Sequence, residues 1–166
     1  GSLKTARKAT GRAGFVAFQG GYHGDTYGAL SLMASPHFRA PFEPGVPGVR
    51  FLPWNDVAAL STIDETVAGV VIEPVQGEGG FYIAPFDFLR SLRALCDEHG
   101  ILLIADEIQT GFARTGKMFG LEHAGIKADV VTLAKGLAGG LPLAAITGRA
   151  EIMDAPHPGG GQEIVV

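Results

Sequence analysis

The chain has 166 residues, 46% of them hydrophobic, and 13 basic against 17 acidic side chains give a net charge of −4. That composition suits one buried core and excludes a disordered chain. No run of like charge offers a nucleic-acid stripe or a polybasic membrane segment, and no apolar run approaches the roughly 18 residues of a membrane helix, so small molecules and protein are the expected partners.

In chain order, a helical pattern over Ser2–Thr10 stops at Gly11, and an apolar run predicts a strand at Phe15–Gln19. Gly20-Gly-Tyr22-His23-Gly24 follows it. Glycines flanking an aromatic pair suit a ring laid flat on a planar ligand, although taken alone Tyr22 reads as a packing residue and His23 as a satisfied hydrogen-bonder. A helix is expected over Asp25–Met33. The stretch Ser35–Gly48 holds four prolines and two glycines and reads as an irregular surface loop. A strand at Val49–Leu52 and a helix at Val57–Ile63 come next, then a strand at Val67–Ile72. The last leads into Val75-Gln-Gly-Glu78-Gly-Gly80, whose glycines let backbone approach a ligand and whose Glu78 either projects into a crevice or simply meets water.

The helix over Phe86–His99 has the firmest signals: Pro85 at its start, Asp87 at the positive end of its dipole, and Gly100 as stop. It carries the only cysteine, Cys96, on the same stripe as Phe88, Leu92 and Leu95. Core packing rather than reactivity is the expectation there, and a cytosolic compartment follows, with neither a disulfide framework nor a signal peptide visible.

The strand at Ile101–Ala105 ends in Asp106-Glu107-Ile108-Gln109, an acceptor, an apolar side chain and an amide within one turn. These groups suit a ring nitrogen, a ring face and a ring hydroxyl; the plain alternative is that Asp106 caps the turn. Gly111-Phe-Ala-Arg-Thr-Gly116-Lys117-Met118 nearly fits a phosphate loop, but Met118 stands where a hydroxyl would hold magnesium. A helix over Lys117–Ala124 and a strand over Val130–Ala134 lead to Lys135. A further strand, Leu143–Thr147, and a short helix, Glu151–Asp154, complete the pattern. The remaining histidines show no metal-ligand spacing, and no metal is assigned.

Alternation of strands and helices, with several strands apolar on both faces, predicts an α/β fold: a mostly parallel sheet with helices on both faces. In such a sheet the strands ending at Asp106 and Lys135 open on one edge, placing an amine and a carboxylate in one partly desolvated crevice. That pair suits Schiff-base chemistry, with the lysine attacking a carbonyl and the carboxylate holding a ring nitrogen cationic.

Four segments in this order, Gly-Tyr22-His23-Gly, Ile72-Glu-Pro-Val-Gln-Gly-Glu-Gly-Gly, Leu103-Ile-Ala-Asp-Glu-Ile-Gln-Thr-Gly-Phe-Ala-Arg-Thr-Gly-Lys and Leu133-Ala-Lys-Gly-Leu-Ala-Gly-Gly, resemble the class III aminotransferases that use pyridoxal phosphate. The likeness is strongest to the 4-aminobutyrate, acetylornithine and ornithine group. It implies the large domain of a fold-type I transferase, of which residues 1–166 are a part. The N-terminal phosphate-binding turn and the C-terminal small domain would lie outside this chain, and the tail Gln162–Val166 matches nothing expected.

The resemblance implies pyridoxal phosphate held by Tyr22, His23, Asp106, Glu107, Ile108, Gln109 and Lys135. Lys135 would carry the cofactor and shuttle the proton, and Asp106 would pair with the pyridinium. Tyr22 and Ile108 would enclose the ring, and Gln109 would meet its hydroxyl. Glu78 would pair with an arginine near the C-terminus when an ω-amine binds, so the catalytic set is Lys135, Asp106 and Glu78. The implied reaction moves an amino group from an ω-amino donor of 4-aminobutyrate or N-acetylornithine type to 2-oxoglutarate, in a cytoplasmic homodimer. One departure stands out: Asp25 follows His-Gly, where the ω-amino acid enzymes carry a carboxylate-binding arginine. Gly24-Asp-Thr is closer to a diaminopelargonate or amine-type branch, and a truncated, non-catalytic remnant is the alternative from a different class.

Overall fold

In the computed structural model, residues 1–155 are described; the tail Gln162–Val166 lies outside them. A six-stranded sheet runs in the order β2-β1-β3-β6-β7-β8, built from β1 (Gly14–Phe18), β2 (Val49–Leu52), β3 (Val67–Ile72), β6 (Leu102–Asp106), β7 (Val130–Leu133) and β8 (Ala145–Gly148). β2, β1, β3, β6 and β7 are parallel, and β8 turns back antiparallel along β7. Two residues each, β4 (Val75–Gln76) and β5 (Tyr82–Ile83) form a separate antiparallel hairpin.

The strands alternate their side chains between two cores. Val16, Phe18, Ile72 and Leu103 face one side, where α4 (Phe86–His99) lays down Phe88, Leu89, Leu92 and Cys96. Phe15, Ala17, Leu102 and Ile104 face the other, with Ala6 of α1 (Ser2–Thr10) and Ile152 of α5 (Ala150–Met153). Helices therefore cover both faces of a mostly parallel sheet, as the apolar strands require. Residue Gly100 ends α4 in a left-handed conformation (φ 60°), and the N–H of Ile101 closes onto Cys96 O at 2.8 Å, turning the chain into β6.

Several predicted helices shrink. The span Asp25–Met33 keeps only α2 (Tyr27–Leu30), followed by tighter turns from Leu32 N–H to Ala29 O and Met33 N–H to Leu30 O. The span Val57–Ile63 becomes a 3₁₀ turn at Ala58–Thr62, and Lys117–Ala124 becomes one at Gly120–Ala124. Conversely, Ser35–Gly48 is not wholly irregular. Pro36 starts α3 (Pro36–Arg39), which runs into a 3₁₀ turn at Ala40–Phe42, because a proline's fixed φ is compatible with a first helical turn.

Candidate active site

The parallel register brings Asp106, at the tip of β6, beside Thr132 of β7, so the tip of β6 and the residues just past β7 share one sheet edge. Loops after β1 and β3 reach the same edge and contribute Tyr22, His23 and Glu73. Together they enclose a hollow of about 150 Å³ lined also by Gly77, Glu78, Ile108, Gln109 and Lys135. Ligands of open α/β sheets bind at such carboxyl ends.

Asp106 forms the floor. It is 6% exposed. Its Oδ2 stands 2.8 Å from His23 Nδ1, and since a carboxylate only accepts, the imidazole donates. Its Oδ1 accepts the Ile108 N–H at 3.2 Å. Both oxygens are thus oriented before any ligand arrives, and each retains a lone pair for a cationic N–H in the hollow. The same pair partitions two spaces: a second hollow of about 370 Å³, reached by Lys4 and Arg7, lies on its other side.

Lys135 and Gln109 form the rim. Lys135 Nζ donates to Gln109 Oε1 at 2.5 Å. Against the expectation of a partly desolvated amine, Lys135 is exposed. The reason is positional: it lies beyond the end of β7, in a turn whose backbone takes φ 47° at the lysine itself, while the dry part of the hollow is at Asp106. Phe112 packs near Gly136, and Phe112 and Ala113 are both left-handed (φ 59° and 64°), so the near-phosphate-loop segment serves as a tight turn against the Lys135 backbone.

At the mouth, Tyr22 and Glu78 line both this hollow and an open depression of about 530 Å³ that Phe38 and Ser35 help to form. The Tyr22 ring meets Phe38 edge-on, with centroids 6.0 Å apart. Hydrogen bonding to the Asp25 carboxylate holds the Tyr22 hydroxyl above its usual pKa, with burial and the charges of Asp25 and Glu78 adding to the effect. Thus the departure at position 25 sits on the ring expected to face a ligand.

Two acidic residues alter the picture drawn from sequence. Glu107 does not reach the hollow. Its buried carboxylate accepts the N–H groups of Gly120 (2.8 Å) and Leu121 (3.0 Å) and the Thr110 hydroxyl, pinning the start of the Gly120–Ala124 turn. Glu107, expected to touch a cofactor, is therefore not among the residues lining this hollow, and its side-chain hydrogen bonds run to Thr110, Gly120 and Leu121. The residue missed is Glu73, 6% exposed, which accepts the Tyr22 N–H at 2.8 Å and the Gly77 N–H at 3.2 Å. Burial pushes its carboxyl above the ordinary carboxylate range, and Asp106 adds to this, while the two N–H donors and His23 pull the other way. A lone acid at the carboxyl tip of a wholly apolar strand was the available signal, the same placement that drew notice to Asp106.

The donor set fits a planar cofactor with a cationic ring nitrogen: a carboxylate on the floor, a phenol and a branched aliphatic chain in the lining, and an amine with an amide at the rim. Among the described residues no group of three or more His, Cys, Asp or Glu is placed to hold a metal ion, and no helix is long and apolar enough to cross a membrane.

Residues 1–163 match the Aminotransferase class-III family, and the chain belongs to it. Within that family it is 53% identical over 159 residues to the acetylornithine aminotransferase of Methanopyrus kandleri, and 46% identical over 179 residues to the 4-aminobutyrate aminotransferase GabT of Escherichia coli. These matches take in 95% and 96% of this chain but 41% of each relative, so the chain spans about two fifths of their length. The ornithine aminotransferase of Toxoplasma gondii, solved with partial occupancy of PLP at its active site, superposes with a TM-score of 0.90 at 34% identity, over 98% of this chain and 41% of that one.

Proposed function

We propose that the protein to which this chain belongs is a pyridoxal phosphate-dependent aminotransferase that moves an amino group from an ω-amino donor to 2-oxoglutarate. The carrying observation is the buried Asp106 carboxylate and the Lys135 amine lining one hollow at neighbouring strand tips. When bound, pyridoxal phosphate supplies an electrophilic carbon and a ring that accepts the electron pair released at the donor's amine-bearing carbon.

Lys135 Nζ would hold the cofactor and, once the donor's amine has displaced it, would take the proton from the donor's amine-bearing carbon and deliver it to the cofactor's former carbonyl carbon. Asp106 keeps the ring nitrogen protonated, an opposite charge within hydrogen-bond reach favouring the cation. His23, donating to Oδ2, fixes that carboxylate. Tyr22 and Ile108 would enclose the ring, and Gln109, if released from Lys135, would offer its amide to the ring hydroxyl. Glu78 at the mouth pairs with an arginine contributed from outside this chain, as the resemblance implies. On this reading residues 1–166 are part of the cofactor-binding large domain of a cytoplasmic homodimer, and exposed Phe81, Tyr82 and Ile83 on the β4–β5 hairpin offer apolar surface for the second subunit.

Asp25 supports a second reading of the branch: an anion on Tyr22 where a carboxylate-binding cation is usual favours a diaminopelargonate- or amine-type class III transaminase. The test is the full-length protein with added cofactor, followed by borohydride reduction and a donor panel of 4-aminobutyrate, N-acetylornithine, ornithine and simple amines. A yellow protein reduced irreversibly at Lys135 supports the enzyme, and the preferred donor assigns the branch. An unchanged spectrum with every donor inert would leave a non-catalytic relative.

A further inference from the structure

We infer that Glu73 is a positioning residue that ties the Tyr22 loop to the Glu78 turn, so that the ring wall and the mouth of the site move as one unit. The inference rests on the aminotransferase reading and deepens it.

Glu73 leaves the rigid tip of β3 and places one carboxylate oxygen on each of two loops. Oε1 takes the backbone N–H of Tyr22 at 2.8 Å, and Oε2 takes the backbone N–H of Gly77, the residue before Glu78, at 3.2 Å. The contact needs close approach: a Cβ on Gly21 would stand 3.1 Å from His23 Nε2 and 3.6 Å from Glu73 Oε1. Gln76 fastens the base of the same two loops, donating from Nε2 to Gln19 O at 2.8 Å. Glu73 fastens their tips. The consequence is mechanical: Tyr22 and Glu78, which line both the inner hollow and the outer depression, take their spacing from one buried side chain.

The substitution Glu73→Gln keeps shape but leaves one acceptor for two donors. In the full-length protein with cofactor, kcat/KM for the 2-oxo acid should fall by roughly ten- to hundred-fold, the size of a lost charge-assisted hydrogen bond, with a melting temperature near that of the parent. A double-mutant cycle with Glu78→Gln reads the coupling. The Glu78→Gln penalty should shrink at least about three-fold in the Glu73→Gln background, whereas the core substitution Leu92→Ala should leave it unchanged. Glu73→Asp, which keeps the charge but shortens the bridge, should lose activity like Glu73→Gln.

Additive effects of positions 73 and 78, or parental kinetics in Glu73→Asp, would overturn the inference, as would a Glu73→Gln chain that cannot fold, since the role would then belong to the fold. If the parent enzyme forms no borohydride-reducible chromophore at Lys135, the aminotransferase reading fails first. Parental transamination with an additive cycle sinks only the role of Glu73.

Discussion

Lys135 Nζ donates to Gln109 Oε1 across the gap between β7 and the turn that follows β6, joining the amine of one strand's extension to the amide of the next. The contact holds the amine over the hollow whose floor is Asp106. On the proposed reading that amide exchanges the amine for the ring hydroxyl, so Gln109→Ala should raise the dissociation constant for pyridoxal phosphate by roughly three- to ten-fold, about one hydrogen bond. Absorbance titration of the full-length protein measures it, and unchanged affinity would remove Gln109 from the site.

Lys135→Ala should abolish both the borohydride-fixed chromophore and transamination. A mutant with the parental spectrum and normal turnover would place the attachment elsewhere.

Asp106→Ala should damage turnover more than cofactor binding. The carboxylate favours the ring cation by an effect of about 1–3 pK units, so kcat should drop by about 10- to 1,000-fold, while the cofactor's dissociation constant moves less. Equal losses in both would indicate that Asp106 serves only to bind.

Glu107→Ala tests the corrected role of that residue. It strips two backbone N–H groups and the Thr110 hydroxyl of a buried partner, which should cost at least about 2 kcal/mol, seen as a lower denaturation midpoint. Cofactor affinity in the folded fraction should be close to parental.

Cys96 should resist thiol reagents until the chain unfolds, because burial pushes its thiol up to about 12. The folded chain keeps a proton that the unfolded chain releases from about pH 9 upward. The thiol therefore has no effect on stability below that pH, and stability falls as pH rises from there. Cys96→Ala should flatten this alkaline decline while costing packing energy at neutral pH, and denaturant titrations at two pH values separate the two effects.

The strands of the sheet were legible because each is an uninterrupted apolar, β-branched run, and their tips announced where Asp106 and Lys135 would meet. The direction of β8 was not, since its pattern differs little between parallel and antiparallel pairing. Short turns also escaped: the Asp25–Met33 and Lys117–Ala124 spans carry helical spacing, but Gly28 and Gly120 and the Glu107 carboxylate decide where backbone N–H groups are satisfied. Glu73 and Glu107 look alike in sequence, acids at the end of apolar strands. Only the donors around them, drawn from residues far along the chain, send one to the hollow and the other to a distant turn.

The antiparallel β8 limits how far the lysine can travel. A parallel neighbour would have required a long crossover after β7, but here the segment 134–144 leaves and rejoins the same ladder, with Leu133 paired to Ala145. The amine is on a short leash. The turn that carries it is anchored at both ends in one ladder, next to the strand that ends in Asp106.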